Sequence, residues 1–155
     1  IFREHADFNN PRSISSAIIE ARKIKEITTT FDFKKIFNSI VNKQYENKFF
    51  ARLFQAVRIE VNDELNALKE LLVQSKDILK PSGRLVVIAY HSLEDVLVKR
   101  FMKFGNFLNF QEKDFFGRAK SSFKVITKKP IIPSEFELKN NTKSRSAKLR
   151  ICEKI

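Results

Sequence analysis

The 155-residue sequence holds one cysteine, Cys152, so it can form no internal disulfide. That scarcity suits a reducing compartment, and the cytoplasm is the expected one. The histidines are two, His5 and His91. With a single thiol beside them, they form no cluster at metal-ligand spacing, and no metal is expected. Glycines number three, Gly83, Gly105 and Gly117, with no clustered pair. No apolar run approaches the roughly 20 residues of a membrane-spanning helix. No charged, apolar-cored leader opens the sequence, so nothing argues for secretion. There is neither an internal repeat nor a low-complexity tract.

What is present is basic and apolar. Lys and Arg total 30 against 18 Asp and Glu, a formal charge of +12, while 43% of residues are hydrophobic. A chain of this length and make-up can bury the core of one domain. Its charge invites a polyanion, nucleic acid first; the alternative is a compositional drift towards lysine. The first residue is Ile1 rather than Met, within what reads as a connecting segment, and a fragment is expected.

Apolar positions Ile14, Ala17, Ile18, Ala21 and Ile24 follow a helical period from Arg12, with Asn10 or Ser13 as cap. Thr28-Thr29-Thr30 caps a second short helix marked by Phe33, Ile36, Phe37, Ile40 and Val41. Phe50, Leu53, Phe54 and Val57 form one stripe and Leu65, Leu68, Leu71, Leu72, Ile78 and Leu79 another, with a break at Asn62 or Asp63. Pro81-Ser82-Gly83 is a turn. Leu85-Val86-Val87-Ile88-Ala89 then suits a strand buried on both faces, as in a parallel sheet. A helix from Ser92 to about Phe104, strands at Phe123–Thr127 and Ala147–Cys152, and a short helix near Ser134–Lys139 complete the pattern. The fold class is α/β: helices alone in the first half, alternating elements in the second, as in the latter part of a layered domain. The early strands of a parallel sheet are not found.

Five stretches carry more than pattern: "FQAVRIEVNDEL", "GRLVVIAYHSLED", "VKRFM", "KKPIIPSEFEL" and "SRSAKLRICEK". In this order they resemble the bacterial 16S ribosomal RNA cytosine-N(4)-methyltransferase family, MraW/RsmH. "SAIIEAR" followed by "ITTT" is similar to that family's helical insert. The resemblance runs from about Arg12 to Lys154. It implies the later half of a Rossmann-like, S-adenosylmethionine (AdoMet)-dependent methyltransferase domain plus part of a helical insert domain. Residues 1–45 would be the substrate-recognising insert segment and 46–155 the carboxyl-terminal part of the methyltransferase domain. It further implies AdoMet as methyl donor, and 16S rRNA or the small ribosomal subunit as partner. The family's glycine-rich donor loop lies in its amino-terminal half and has no counterpart here, so the donor-binding residues are unknown and this piece alone is expected to be inactive. Tyr90 stands where the family commonly has Phe, and Thr142-Lys143-Ser144 where Pro-Arg-Ala is usual.

Cytosine's exocyclic amino lone pair is delocalised into the ring, so its methylation depends on in-line positioning and an acceptor for the amino proton. The base must also leave its stack. His91, Ser92 and Glu94, at the carboxyl end of the apolar strand, are the catalytic candidates: His91 or a neighbouring carboxylate accepts, and Ser92 orients base or phosphate. The competing reading makes Ser92 a helix cap paired with Asp95, Glu94 a partner of the helix dipole, and His91 an ordinary strand-end histidine. Arg58 and Asn62 are RNA-binding candidates, with Glu64 beside them; the alternative is an ion pair of Arg58 with Glu60 or Asp63 and a capping Asn62. Arg145, Ser146 and Lys148 are the other RNA-binding candidates. On a strand Ala147, Leu149 and Ile151 would face one way and Ser146, Lys148 and Arg150 the other, the second face either meeting phosphate or simply solvated. In "KDFFGRAKSSFK", Phe115 or Phe116 can stack on a base and Arg118 or Lys120 meet phosphate; the alternative is a satellite core. A non-catalytic basic RNA-binding or ribosome-assembly module remains the rival to the enzyme.

Overall fold

A computed structural model of the chain describes residues 1–6, 8–108, 110, 115–116 and 121–155. It divides into two compact units, Ile1–Glu64 and Leu65–Ile155. Among the described residues no helix is long and apolar enough to cross a membrane.

The first unit is helical: α1 (Pro11–Ile24), α2 (Thr30–Lys35), a 3-10 turn (Lys43–Tyr45) and α3 (Glu46–Val61). Asn10 caps α1 by accepting from the Ser13 amide at 3.2 Å, and Pro11 occupies the first turn, where no amide partner is lost. Thr29 caps α2 through the Asp32 amide at 3.0 Å. The core joins Ile14 and Ile18 of α1 to Phe37, Phe50 and Leu53. Phe37 is fully buried, its ring 5.5 Å from those of Phe33 and Phe49 and 6.4 Å from that of Phe50. Such tilted aromatic pairs add to what area burial alone provides. One detail differs from the sequence pattern: α2 stops at Lys35, and Phe37 enters the core from the turns beyond it. Helix α3 packs in this first core as well.

The second unit holds α4 (Glu64–Ile78) from Leu65 on, its first residue Glu64 belonging to the first unit, then β1 (Arg84–Ala89), α5 (Ser92–Phe104), β2 (Phe123–Val125), α6 (Glu135–Asn140), a 3-10 turn (Thr142–Ser146) and β3 (Lys148–Lys154). The α3–α4 break lies where expected: Asn62 closes α3, and Asp63 adopts a left-handed φ of 50°. Between α4 and β1, a Cβ on Gly83 would come 2.8 Å from the Lys80 carbonyl oxygen, so the turn needs glycine for space. Gly105, with φ 73°, ends α5 in the left-handed conformation.

The sheet has order β1-β3-β2, with both outer strands antiparallel to β3. Pairing runs from Arg84↔Glu153 to Ala89↔Lys148. This corrects the expectation of a parallel strand buried on both faces. Among the described residues β1 pairs only with β3 and alternates: Leu85 and Val87 pack on the core, whereas Val86 and Ile88 are 53% and 52% exposed. Five consecutive apolar residues hid that alternation. Leu72 of α4, Val98, Phe101 and Met102 of α5, Phe123 of β2 and Cys152 of β3 form the core.

The β3 faces are also set by this register. Arg150 and Cys152 point into the layer beneath α5, so the face carrying Lys148 and Arg150 is not a solvated outer face. Burial pushes the Cys152 thiol up to about 11. At pH 8 the native thiol should therefore react with Ellman's reagent on the order of 100-fold more slowly than the unfolded chain, from ionisation alone. Stopped-flow labelling with and without denaturant measures this; equal rates would contradict the buried position.

Candidate functional site

The β1–α5 junction brings Tyr90, His91, Ser92, Glu94 and Asp95 to one end of the sheet. His91, not Ser92, is the N-cap of α5. Its Nδ1 accepts from the Glu94 amide at 3.4 Å, and the Glu94 carboxylate accepts from the amides of Tyr90 at 2.9 Å and His91 at 3.3 Å. This reciprocal capping box is built from His and Glu, so the expected Ser92–Asp95 pair is corrected. Ser92 is the first helical residue, and it and Tyr90 are exposed.

The cap bond constrains the ring. With Nδ1 accepting, the neutral imidazole carries its proton on Nε2. Nε2 is buried and lacks a hydrogen-bond partner among the described residues. It lies 3.2 Å from Glu94 Oε1, a close polar contact outside hydrogen-bond geometry. The ring thus offers a donor, and accepting at Nε2 requires the tautomer that gives up the cap bond. Glu94 is the standing acceptor: the close contact with the His91 ring, outweighing partial burial and helped by the Tyr90 amide, holds its carboxyl below the ordinary range.

Asp95 has a different role from a cap. It is 7% exposed and ion-paired to Arg150, itself 7% exposed, through Nε–Oδ1 at 2.6 Å and Nη2–Oδ2 at 3.2 Å. Lys148 Nζ adds a third contact at 3.3 Å. Burial acts to raise the Asp95 carboxyl, but the hydrogen bonds and charges of Arg150 and Lys148 together bring it below the ordinary value. The sequence left this pair unseen, because Arg150 reads as one more surface cation.

The register Ala89↔Lys148 sets the start of β3 beside the end of β1. Arg145 and Ser146, in the last turn before β3, are exposed just ahead of that start. So His91, Ser92 and Glu94 follow the same end of the sheet that Arg145 and Lys148 precede. Lys148 is shared with Asp95.

In the first unit, Arg58 makes a bidentate pair with Glu64, Nε–Oε1 at 2.7 Å and Nη2–Oε2 at 3.1 Å. Asn62 donates to the same carboxylate at 3.2 Å. The partner is Glu64 rather than Glu60 or Asp63, and Asn62 closes α3 rather than opening α4. In the long connection Phe115 is 98% exposed and edge-on to Phe116 at 5.7 Å. Arg118 and Lys120 lie outside the described residues.

The junction does not fit a methyl donor's cradle. It has no glycine, and the amides of Tyr90 and His91 are taken by the Glu94 carboxylate.

Residues 1–155 match the sequence model of the MraW methylase family. The chain is 48% identical over 155 residues to the ribosomal RNA small subunit methyltransferase H of Parabacteroides distasonis, covering 100% of this chain and 51% of that protein. It is 51% identical over 154 residues to the protein of that name from Flavobacterium psychrophilum, covering 99% and 53%. The chain spans about half the length of the curated relatives it matches.

The Asp95 cluster yields a stability prediction. Asp95→Asn leaves the Arg150 guanidinium buried without its counter-charge, which should cost about 3 kcal/mol or more in urea unfolding at pH 7. Because the native carboxyl sits below its unfolded value of 3.8, its contribution is full above that pH and is lost as pH falls through the native value. Wild type and variant should converge in acid, and a gap unchanged there would contradict the pairing.

Proposed function

Since the chain belongs to the MraW methylase family, we propose that it forms part of an AdoMet-dependent enzyme methylating the exocyclic N(4) amino group of a cytidine in 16S rRNA. The observation that carries this reading is the family match over all 155 residues. The relatives' printed names, ribosomal RNA small subunit methyltransferase H, supply the substrate class. On this reading the α/β unit is the later part of a Rossmann-like domain, and the helices before α3 belong to a substrate-recognising insert. The donor is held by protein outside these 155 residues, AdoMet supplying the methyl group when bound.

The residues of the junction divide the remaining work. The Glu94 carboxylate hydrogen-bonds the cytosine amino group, aligning its lone pair, and takes the proton released as the C–N bond forms. A carboxylate held below its ordinary range is a weak base. It suffices, because a methylated aminopyrimidine cation is strongly acidic. His91 Nε2–H donates to a ring acceptor of the base and positions it. Ser92 contacts the base or its phosphate. Arg145, Ser146 and Lys148 hold flanking phosphates, which fix register without reading sequence. Arg58 and Asn62 meet RNA from the helical unit, with Glu64 fixing the guanidinium.

Labelled-methyl transfer to unmodified small-subunit rRNA tests the reading, with the full-length parent run beside the 155-residue chain. Transfer by the parent alone, at a cytosine amino group, is expected. No transfer to verified substrate would favour the non-catalytic RNA-binding module. Within the parent, Glu94→Gln keeps a capping-box side chain and removes the base. It should lower single-turnover transfer by about 100-fold while leaving the unfolding midpoint nearly unchanged. Wild-type transfer by this variant would remove Glu94 from the chemistry.

A further inference from the structure

A cationic recess lies on the α/β unit, apart from the β1–α5 junction. Lys99, Met102 and Lys103 of α5, Val125 of β2, Thr127 and Lys128 beyond it, and Arg150 of β3 enclose about 360 Å³. Its chemistry is split. Met102 and Val125 provide an apolar floor, and Lys99, Lys103 and Lys128 are exposed at the rim. No carboxylate among the described residues pairs with any of these three lysines. Arg150 is different: Asp95 locks its Nε and Nη2, while Nη1 has no partner among the described residues. A guanidinium held by Asp95 with a free edge, three exposed ammonium groups and an apolar bed fit a phosphate attached to a nucleoside. Inorganic phosphate would leave the floor uncovered, and an apolar ligand would leave the cations unanswered.

Position argues for a strand rather than a free nucleotide. Lys99 and Lys103 follow Asp95 at intervals of four residues, so the cations line one side of α5. The recess ends roughly 18 Å along the helix from His91, at 1.5 Å per residue. That is the reach of a few nucleotides.

We propose that the Lys99–Lys103–Lys128–Arg150 recess binds a phosphorylated nucleoside of single-stranded RNA a few positions from the base presented to His91 and Glu94. This rests on the RNA-methyltransferase reading, which supplies the strand.

The test is fluorescence anisotropy of labelled pentacytidylate RNA on the 155-residue chain, with salt titration, and with cytidine 5′-monophosphate as competitor. Replacing Lys99, Lys103 and Lys128 together by Gln should weaken binding about tenfold and make the log–log salt dependence shallower by about 1 to 2. The same substitutions at Lys69, Lys80 and Lys139, equal in charge, should change affinity less than twofold. Ultraviolet crosslinks should fall in peptides holding residues 99–103 or 125–128. Equal losses in the two variants, no binding of pentacytidylate, or crosslinks only elsewhere would overturn the recess. A mononucleotide that competes as tightly as the strand would make this a free-nucleotide site and overturn the strand. Methyl transfer by the full-length parent is scored separately. Transfer with an unaffected triple variant sinks the recess alone, whereas recess binding without transfer sinks the enzyme reading alone.

Discussion

The buried ionic cluster of Asp95, Arg150 and Lys148 is the constraint on which the second unit depends. Asp95 sits one turn into α5 and Arg150 in the central strand, so their bidentate contact fixes where the helix begins over the sheet. Two charges removed from water are costly and become tolerable only when mutually satisfied, which permits few arrangements of helix and strand. The capping box of His91 and Glu94 lies immediately before Asp95. Its geometry is therefore referred to β3 through one ion pair. The same guanidinium that anchors the helix turns its free edge to the cationic recess, so one salt bridge positions both features.

The sheet sets where the junction leaves the core. Among the described residues β1 pairs with β3 alone, and its last residue, Ala89, is buried while Tyr90 is exposed. The chain leaves the layer within one residue, and the cap forms in that step. Beneath it, α4 and α5 cover only the face formed by Leu85, Val87, Arg150 and Cys152. The opposite face carries Val86 and Ile88 across from Ile151 and Leu149, and Ile131 bridges to Leu149 there. A strand that reads as uniformly apolar thus serves two different surfaces.

Much of the helical framework was legible because it rests on local chemistry. Asn10-Pro11, the threonines at 28–30, Asn62-Asp63, Pro81-Ser82-Gly83 and Ser134 stop or start elements by capping or backbone geometry, within a few residues of the effect. What escaped depends on distant partners. Phe37 is buried because Phe33, Phe49 and Phe50 surround it, not because α2 continues. Arg150 is internal because Asp95, 55 residues earlier, meets it. Ser92 has the better residue type for a cap, yet His91 holds the position: the strand ends one residue sooner, and an imidazole nitrogen can accept as a hydroxyl would. The candidate residues around His91 were visible as a polar group following an apolar strand. Their division into donor, acceptor and ion pair was not, since each depends on which atom faces which.

The electrostatics of α5 bear on how a polyanion can approach. A helix N-terminus ordinarily attracts anions through its free amides and dipole. Here the amides of Tyr90 and His91 are taken by Glu94, and Asp95 adds a second carboxylate in the same turn. A phosphate finds the amides of Tyr90 and His91 already taken, whereas a neutral base with amino and carbonyl groups meets both an acceptor and a donor. The cations lie to either side: Arg145 ahead of β3, and Lys99 and Lys103 farther along the helix. If RNA binds, its charge is drawn to the flanks and its base to the junction. That separation of phosphate from base is what chemistry on an unstacked nucleotide requires.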